Sequence, residues 1–569
     1  MKYQNYAVER YKDLRQMLRA SAKAFGTGTL FLQKTRGKYR SVSYEKFYAD
    51  VNCLGTALLH AGLAGKKVAL AGENCYAWAV AYMAIVCGVG TVVPLDAERS
   101  GREVTALVSR AAADAVICSD AVLEKFSSLK DNIKRIPFSE LRNWIREGSA
   151  RIQTGDKRYF DVTIDDRQVC AILFSADVPE DARGVMLSHR NLCFNLSQIS
   201  QMIDVDEEDV FLSVLPLHHA YECTCGFLWP MSRGCMVAFS DGIQGLGKTM
   251  KEISPSVMIS VPSMVETMHE RIRGHLRGCG AEDRVRRMVA FTDSIPNLKG
   301  KLSAKKSAFS SLRKSFGGEL RLILSCGGKT APEAVAGLRD LGILVLQGYE
   351  IAECSSVVAI NRDTWFKDDS VGLCPPDALL DIADMQEDGV GEIRYHGDGV
   401  MVGYYQRPEQ THRVIRDGWF YTGDMGYLDS DGFLYVTGRK ENAIDLGEGR
   451  MLFPEELEAI LCRSPYVKEA VVVGYPNEEN KTTHVVALIH PNGEALKEMY
   501  GDGVSEAQIE STLSRVLAEV NGALPPYQRI EVFVKRDAEF PKTSMRRIRR
   551  SGLAEESFAA FRKKRFKNI

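Results

Sequence analysis

YTGDMGYLDSDGFLYVTGRKE, residues 421–441, reads as two short β-strands with tight turns. Gly423-Asp424 supplies one bend. Asp429-Ser430-Asp431-Gly432 supplies the turn before FLYVTG, because glycine and aspartate tolerate the backbone angles that turns require. Asp424 closes an aromatic, apolar segment, and Arg439 follows a glycine. A carboxylate at such a point suits a pair of sugar hydroxyls, and an arginine suits a ribose or a phosphate. A turn aspartate and a surface arginine would look the same, so the flanking sequence decides.

N-terminal to this stretch, apolar runs alternate with helical patterns. KKVALAG, GTVVPLD, DAVICSD, QVCAILFS, VFLSVLPL, CMVAF, VMISV, LRLILSCGG and LVLQGYE read as short buried strands. Residues 5–60, 75–87 and 192–202 carry helical patterns, the first two ending near glycines. Residues 119–165 read as a looser, charged connection, and 270–318 as a basic stretch of low hydrophobicity. Strand–helix alternation predicts an α/β fold with a large domain of mostly parallel sheets. Ligands collect at strand carboxyl ends in such sheets, and Ser175, His218, Gly327 and Tyr349 stand at such ends. After Arg439 the character changes. FPEELEAILCRS opens a short helix at Pro454, VKEAVVVGYP and HVVALIHP are strands, residues 505–524 a helix, and RIEVFVK a last strand before a basic tail. This predicts a small α+β domain, with the boundary placed at 439/440.

The 569 residues exceed what one core usually holds. With 73 Lys+Arg against 74 Asp+Glu, the net charge of −1 gives no global pull toward nucleic acid or membrane. The start, MKYQNYAVERYKDLRQM, is charged and does not resemble a secretory signal. The longest apolar run, YAWAVAYMAIVCGVGTVVPL, holds glycines and reaches a proline, so it reads as a buried helix feeding a strand rather than a membrane span. Fourteen scattered cysteines without paired C-x-x-C motifs read as buried thiols of a cytoplasmic protein, not as a zinc site.

The order of VPLD, GVMLSHRNL, LPLHHAYECTCGFL, LQGYEIAECSSVVAINRD, VMVGYYQRPEQT, DGWFYTGDMGYLDSDGFLYVTGRKENAI, FPEELE and FPKTSMRRIRR resembles the adenylate-forming (AMP-binding) superfamily, and most of all bacterial long-chain fatty-acid–CoA ligases. The likeness runs from about residue 78 to 550. That family activates a carboxylate with Mg-ATP, releases pyrophosphate, and passes the acyl-adenylate to a thiol such as CoA after its small domain turns. The resemblance implies a fatty-acyl carboxylic acid as substrate, ATP or AMP, Mg2+ and CoA as ligands, and no nucleic-acid partner. It implies Asp424 on the ribose hydroxyls, Arg439 on the ribose–phosphate region, Tyr349 along the adenine with the backbone of Gly327 and Gly328 at its edge, and Glu353 as the metal ligand. It also implies Ser175 and Arg183 on the phosphates, His219 where acyl pocket meets thiol tunnel, Gly449 on the loop presented for thioester formation, and Glu441 at the hinge. The lysine that bridges carboxylate and α-phosphate falls on Arg547.

Departures gather at the phosphate end. The family's loop of Ser, Thr and Gly followed by Pro-Lys-Gly is FSADVPEDARGV here, residues 174–185. Its own glycines are replaced by Asp177 and Glu180, Pro179 lacks an N–H donor, and Asp181 adds a third carboxylate against Arg183 alone. Like charges ~4 Å apart repel by about 4 kcal/mol at an effective dielectric near 20. Ala352 stands where a threonine usually precedes the metal-site glutamate, Glu441 takes the usual hinge Asp or Lys, and Arg546-Arg547 replace Gly-Lys. Arginine keeps the charge, but its planar fork is not a point ammonium. Two readings follow. One is a ligase-like enzyme whose adenylation step is weakened or lost. The other is a pseudoenzyme that keeps an acyl, AMP or acyl-CoA pocket and acts through a partner protein, the loop being a solvated turn.

Overall fold

The computed structural model describes residues 4–35, 37–175, 182–240, 242, 245–446, 451–477, 482–543 and 547–565. Packing divides the chain into Met1–Leu380 with Tyr395–Phe420, and Asp381–Arg394 with Tyr421–Ile569. Residues 421–439 therefore pack with the C-terminal unit, N-terminal to the boundary expected at 439/440. Gly438 gives one reason: a Cβ there would lie 2.6 Å from Glu455 Oε2 and 2.8 Å from Phe453 Cβ, so only glycine lets this strand lie against the segment that opens the next helix.

The first unit contains, in chain order, β1 Thr29–Thr35, β2 Lys38–Ser43, β3 Lys66–Ala71, β4 Gly90–Leu95, β5 Ala115–Cys118, β6 Lys134–Pro137, β7 Val169–Phe174, β8 Gly184–Ser188, β9 Val210–Ser213, β10 Met236–Phe239, β11 Val257–Ser260, β12 Leu322–Ser325, β13 Leu344–Ile351 and β14 Ser356–Ile360. One sheet runs β14-β13-β12-β11-β9-β10-β1-β2. Another runs from the short strand Gly403–Tyr404 through β8-β7-β4-β3-β5-β6. Antiparallel pairing is confined to both ends of the first sheet and to the β8 end of the second. The parallel strands VMIS and LILS are buried at every position, as expected of sheets covered on both faces. The large α/β domain of mostly parallel sheets is as the alternation predicts.

The apolar run 76–95 is the helix Tyr76–Ala84, a π turn Ile85–Val89 and β4. Two regions differ from expectation. The hairpin β1–β2 interrupts what reads as a run of helices; its place is fixed by parallel pairing of β1 with β10, two hundred residues away, which no local pattern reveals. Residues 119–165 are not a loose connection: they hold β6 and the helix Leu141–Gln153. Gly148 lets that helix press on the helix Tyr44–His60, since a Cβ at 148 would lie 1.8 Å from the Cys53 carbonyl oxygen. The basic stretch after residue 262 forms the helices Pro262–Gly278, Glu282–Asp293 and Leu298–Ala308, with Val265, Ile272, Val285 and Val289 turned to a core.

β15 Trp419–Leu428, which belongs to the second unit from Tyr421 on, pairs with β16 Leu434–Arg439. β15 passes straight through Gly423-Asp424, so that dipeptide is not a chain reversal; a register shift between Met425 and Gly426 absorbs the irregularity. Asp429 Oδ1 accepts from the Asp431 and Phe433 N–H groups and makes the true turn. Beyond lie the helix Pro454–Leu461, β17 Val467–Asn477, β18 Thr482–Pro491, the helix Glu506–Ala523, β19 Val532–Lys535 and the helix Leu553–Arg565. β17 and β18 are antiparallel and β18 and β19 parallel, the small α+β sheet expected. All fourteen cysteines are free and ten are buried. Among the described residues, no helix is long and apolar enough to cross a membrane.

Candidate functional site

The sequence-predicted residues fall into clusters, each within one unit. In the first unit, β7 and β8 pair antiparallel and end on Ser175 and Arg183. The Ser175 N–H donates to the Arg183 carbonyl (3.0 Å) and the Arg183 N–H to Ser175 Oγ (2.8 Å), closing the base of the loop. Residues 176–181 lie outside the described residues, and with them Asp177, Pro179, Glu180 and Asp181. Arg99 donates to the Ser175 carbonyl at 3.2 Å.

The Arg183 guanidinium sits 5.5 Å from the centre of the Tyr404 ring, within cation–π range. The Tyr404 hydroxyl donates to Glu353 Oε1 at 2.8 Å. Burial first, then the Glu353 charge, pushes the Tyr404 phenol far above its ordinary value, so it stays a donor. Strand Gly403–Tyr404 pairs with β8, and Thr411 Oγ accepts the Tyr404 N–H at 2.9 Å. Thus Arg183, Tyr404 and Glu353 form one group: a cation, a phenol and a carboxylate. Tyr404 was missed as a site residue, although it lies inside the quoted VMVGYYQRPEQT; its partner Glu353 is fifty-one positions away.

Glu353 sits on the single turn Ala352–Cys354, followed by Ser355 at φ 62° and Ser356 at φ 110°, left-handed conformations uncommon for serine. Its carboxylate is half-buried. A single half-buried carboxylate fits the way Mg2+ is usually held, by one or two carboxylates plus substrate. Among the described residues, no group of three or more His, Cys, Asp or Glu could hold a metal without such help.

Gly327 and Gly328 follow β12. Ser325 Oγ and Thr330 Oγ lie 2.9 Å apart, and the Thr330 N–H donates to Gln347, so the loop is pinned at its base while Gly328 and Lys329 are exposed. Tyr349 is not in a loop: it lies within β13, opposite Ala359 of β14, and is buried.

The turn after β9 carries both histidines. His218 Nε2 is 3.9 Å from Asp96 Oδ2, and burial pushes its imidazole below the ordinary value, with Asp96 opposing and Arg99 adding. The Tyr221 N–H donates to His219 Nδ1 at 3.4 Å. Asn74 braces this turn: its Oδ1 accepts the Leu217 N–H, and its Nδ2 donates to the Leu215 carbonyl and to Ser213 Oγ. Ser213 in turn donates to Glu222 Oε1 at 2.7 Å. Glu222 is fully buried, its Oε2 has no hydrogen-bond partner among the described residues, and burial pushes its carboxyl up to about 8.

In the second unit, Asp424 and Arg439 stand directly opposite on β15 and β16. Arg439 Nε lies 3.0 Å from Asp424 Oδ1 and Arg439 Nη1 2.9 Å from Glu441 Oε1. The Asp424 N–H donates to Thr422 Oγ and the Gly423 N–H to Glu392. The Asp424 side chain is 8% exposed and that of Arg439 42%. Arg547 lies on a narrow return of chain. The Thr543 N–H donates to the Arg547 carbonyl and the Arg547 N–H to Thr543 Oγ, and its side chain is exposed. Arg546, Gly449 and Arg450 lie outside the described residues.

The AMP-binding enzyme family model matches residues 18–405, and that of the AMP-binding enzyme C-terminal domain residues 456–546. Long chain acyl-CoA synthetase 1 of Arabidopsis thaliana is 26% identical over 501 residues, covering 81% of this chain and 75% of the relative. Fatty acyl-CoA synthetase B of Dictyostelium discoideum is 25% identical over 537 residues, 86% of this chain and 78% of the relative. A Mycobacterium tuberculosis fatty acyl CoA synthetase is alike in fold with a TM-score of 0.67 at 20% identity, covering 96% of this chain and 99% of the other. The o-succinylbenzoate CoA synthetase of Bacillus subtilis, in complex with ATP and magnesium ion, gives 0.73 at 18%, covering 94% and 98%.

Proposed function

The chain belongs to the AMP-binding enzyme family, and on that premise we propose that it is a long-chain acyl-CoA ligase-like protein whose adenylation step is weakened. It takes a fatty acyl carboxylate, holds AMP or an acyl-adenylate better than ATP, and passes the acyl group to a thiol such as CoA in the cytoplasm. Asp424 takes the ribose hydroxyls, Arg439 the ribose–phosphate region, Tyr349 and the Gly327–Gly328 backbone the adenine, and His219 the junction of acyl pocket and thiol tunnel. On this reading residues 440–569 are the small domain and Glu441 its hinge, so that its turn would part Gly438 from Phe453 and Glu455, with Gly449 presented to the thiol and Arg547 toward the α-phosphate. Ser175 and Arg183 meet the phosphates. Glu353 would hold Mg2+, which when bound offsets phosphate charge. Tyr404 orients the Glu353 carboxylate through its hydroxyl.

The observation that supports this reading is the contrast between two clusters of family-pattern residues. Asp424 and Arg439 stand in direct register on neighbouring strands, as a ribose contact would need. In the sequence, the loop proposed for the phosphates puts Arg183 close to Asp177, Glu180 and Asp181. The experiment compares two half-reactions. Pyrophosphate release with Mg-ATP and a panel of fatty acids should be slow, while CoA should consume a synthetic long-chain acyl-adenylate readily. Fast pyrophosphate release would overturn the weakened step, and no consumption of acyl-adenylate would overturn the ligase reading.

The second reading, a non-catalytic binder acting through a protein partner, is favoured by Arg547 in the lysine place together with that loop. Tight binding of AMP or acyl-CoA with neither half-reaction is its signature.

A further inference from the structure

The chain as a whole is nearly neutral, yet residues 270–306 hold ten Lys/Arg against four Asp/Glu. Such local excess on a balanced chain has an electrostatic use that net charge hides. The helix Glu282–Asp293 lies in this stretch and has two unlike faces. Val285 and Val289 pack against the core of their unit, and Thr292 is buried. On the other side, Arg284, Arg287, Met288 and Phe291 fall within about a 100° arc by the helical period, and all four are exposed. Phe291 is 72% exposed, more than any other large hydrophobic side chain among the described residues. Arg273 and Arg277 of the preceding helix, one short turn away, are exposed too.

Exposed phenylalanine and methionine bring apolar area into water for nothing the fold requires, because the core-facing side of the same helix is already satisfied. Arg287 and Arg284 on either side of Phe291, with Met288 next to Arg284, set the kind of surface that would cover them. We propose that this outward face docks the protein on an anionic lipid surface, with Phe291 and Met288 entering the headgroup–acyl boundary and Arg284 and Arg287 pairing with lipid phosphates. Arginine forks suit phosphate oxygens, and an aromatic and a thioether side chain suit the interface. A nucleic acid would be met by the same arginines and could stack on Phe291 between them, but Met288, beside Arg284, offers no planar face for a base and suits the acyl boundary. The proposal stands on this surface alone and does not depend on the ligase reading.

The test is co-sedimentation of the full chain with phosphatidylcholine vesicles, with and without phosphatidylserine, at low and at raised salt. Binding should require phosphatidylserine and weaken as salt screens the contact. Arg284→Glu with Arg287→Glu should lower partitioning by roughly fivefold or more per residue. Phe291→Ser should lower it several-fold while leaving the salt dependence unchanged. The replaced side chains are exposed, so unchanged melting temperatures check that the variants fold, and the wild-type partition alone already decides. Equal partition onto neutral and anionic vesicles, or none onto either, overturns the proposal. So does binding to duplex or single-stranded nucleic acid that the arginine variants abolish, without vesicle binding.

Discussion

Arg439 and Asp424 occupy directly opposed positions on neighbouring strands, and Arg439 Nε reaches Asp424 Oδ1 at 3.0 Å. The pair holds a carboxylate that is almost buried, and Glu441 takes another nitrogen of the same guanidinium. Asp424 is thus oriented by Arg439, and Arg439 is shared between two acids.

This sharing predicts opposite effects for the two acids. Asp424→Asn should weaken AMP binding by about tenfold, since a charged acceptor is lost. Glu441→Ala should strengthen it by a few-fold at most, as expected for release of an exposed ion pair. Arg439→Ala should weaken AMP binding and also cost about 1–3 kcal/mol of stability, because it strands the buried carboxylate. Calorimetry with AMP and denaturant unfolding separate the two.

Tyr404→Phe removes the hydroxyl that donates to Glu353 Oε1 while keeping the ring under Arg183. The Mg2+ dependence of nucleotide binding should shift to about tenfold higher metal, as expected for a lost hydrogen bond to a charged group. Binding of metal-free AMP should change little. Titrating Mg2+ at fixed nucleotide measures it.

Glu222 makes stability depend on pH between about 4.5 and 8. Its folded carboxyl titrates at about 8 against an ordinary 4.5. The proton is therefore held more tightly when folded, the stabilisation is complete below pH 4.5, and it is lost as pH rises through about 8. The whole span is worth at most about 5 kcal/mol at 1.36 kcal/mol per tenfold in proton affinity. Glu222→Gln keeps an acceptor for Ser213 and cannot ionise. Its melting temperature should exceed that of the wild type by a margin that grows between pH 5 and pH 8. A constant margin would mean Glu222 is not the titrating group.

His189 acts at the other end. Burial pushes its imidazole down to about 4, and its Nδ1 accepts the Leu14 N–H. Stability from the neutral ring is complete above the ordinary 6.5 and lost as pH falls through 4. Chain melting between pH 7 and pH 4 should therefore fall more steeply for the wild type than for His189→Asn.

What the sequence disclosed follows from range. Strands such as VMIS and LILS announce themselves because both faces are buried, so their apolar runs are unbroken. The helix Leu141–Gln153 did not, because its outward face is charged and its fit on Tyr44–His60 hangs on Gly148, one residue with no side chain to notice. β1 needed β10 to be seen as a strand. Asp424 and Arg439 are fifteen residues apart on one hairpin whose turn was legible, so their nearness follows from local sequence. The Tyr404–Glu353 bond and the Asn74–Ser213–Glu222 brace join residues 51 and up to 139 positions apart, which spacing cannot reveal.

Restoring the phosphate end should restore the step proposed as weakened. Arg547→Lys replaces a planar fork with a compact ammonium, which can approach a carboxylate and a phosphate from one point. Arg547 is exposed and its backbone is held by Thr543, so the change should leave the return of chain intact. Asp177→Gly with Glu180→Gly removes two like charges and returns backbone freedom to the loop between Ser175 and Arg183. The loop change should tighten Mg-ATP binding with little effect on the rate of the bound complex. The lysine should raise that rate with little effect on binding, because placement near a reacting centre acts on rate. Combined, they should raise ATP–pyrophosphate exchange with a long-chain acid by at least a hundredfold over the wild type, if each contributes about tenfold or more and the two act on separate quantities. Exchange no faster in the combined variant than in the wild type would place the block elsewhere than the phosphate loop and Arg547.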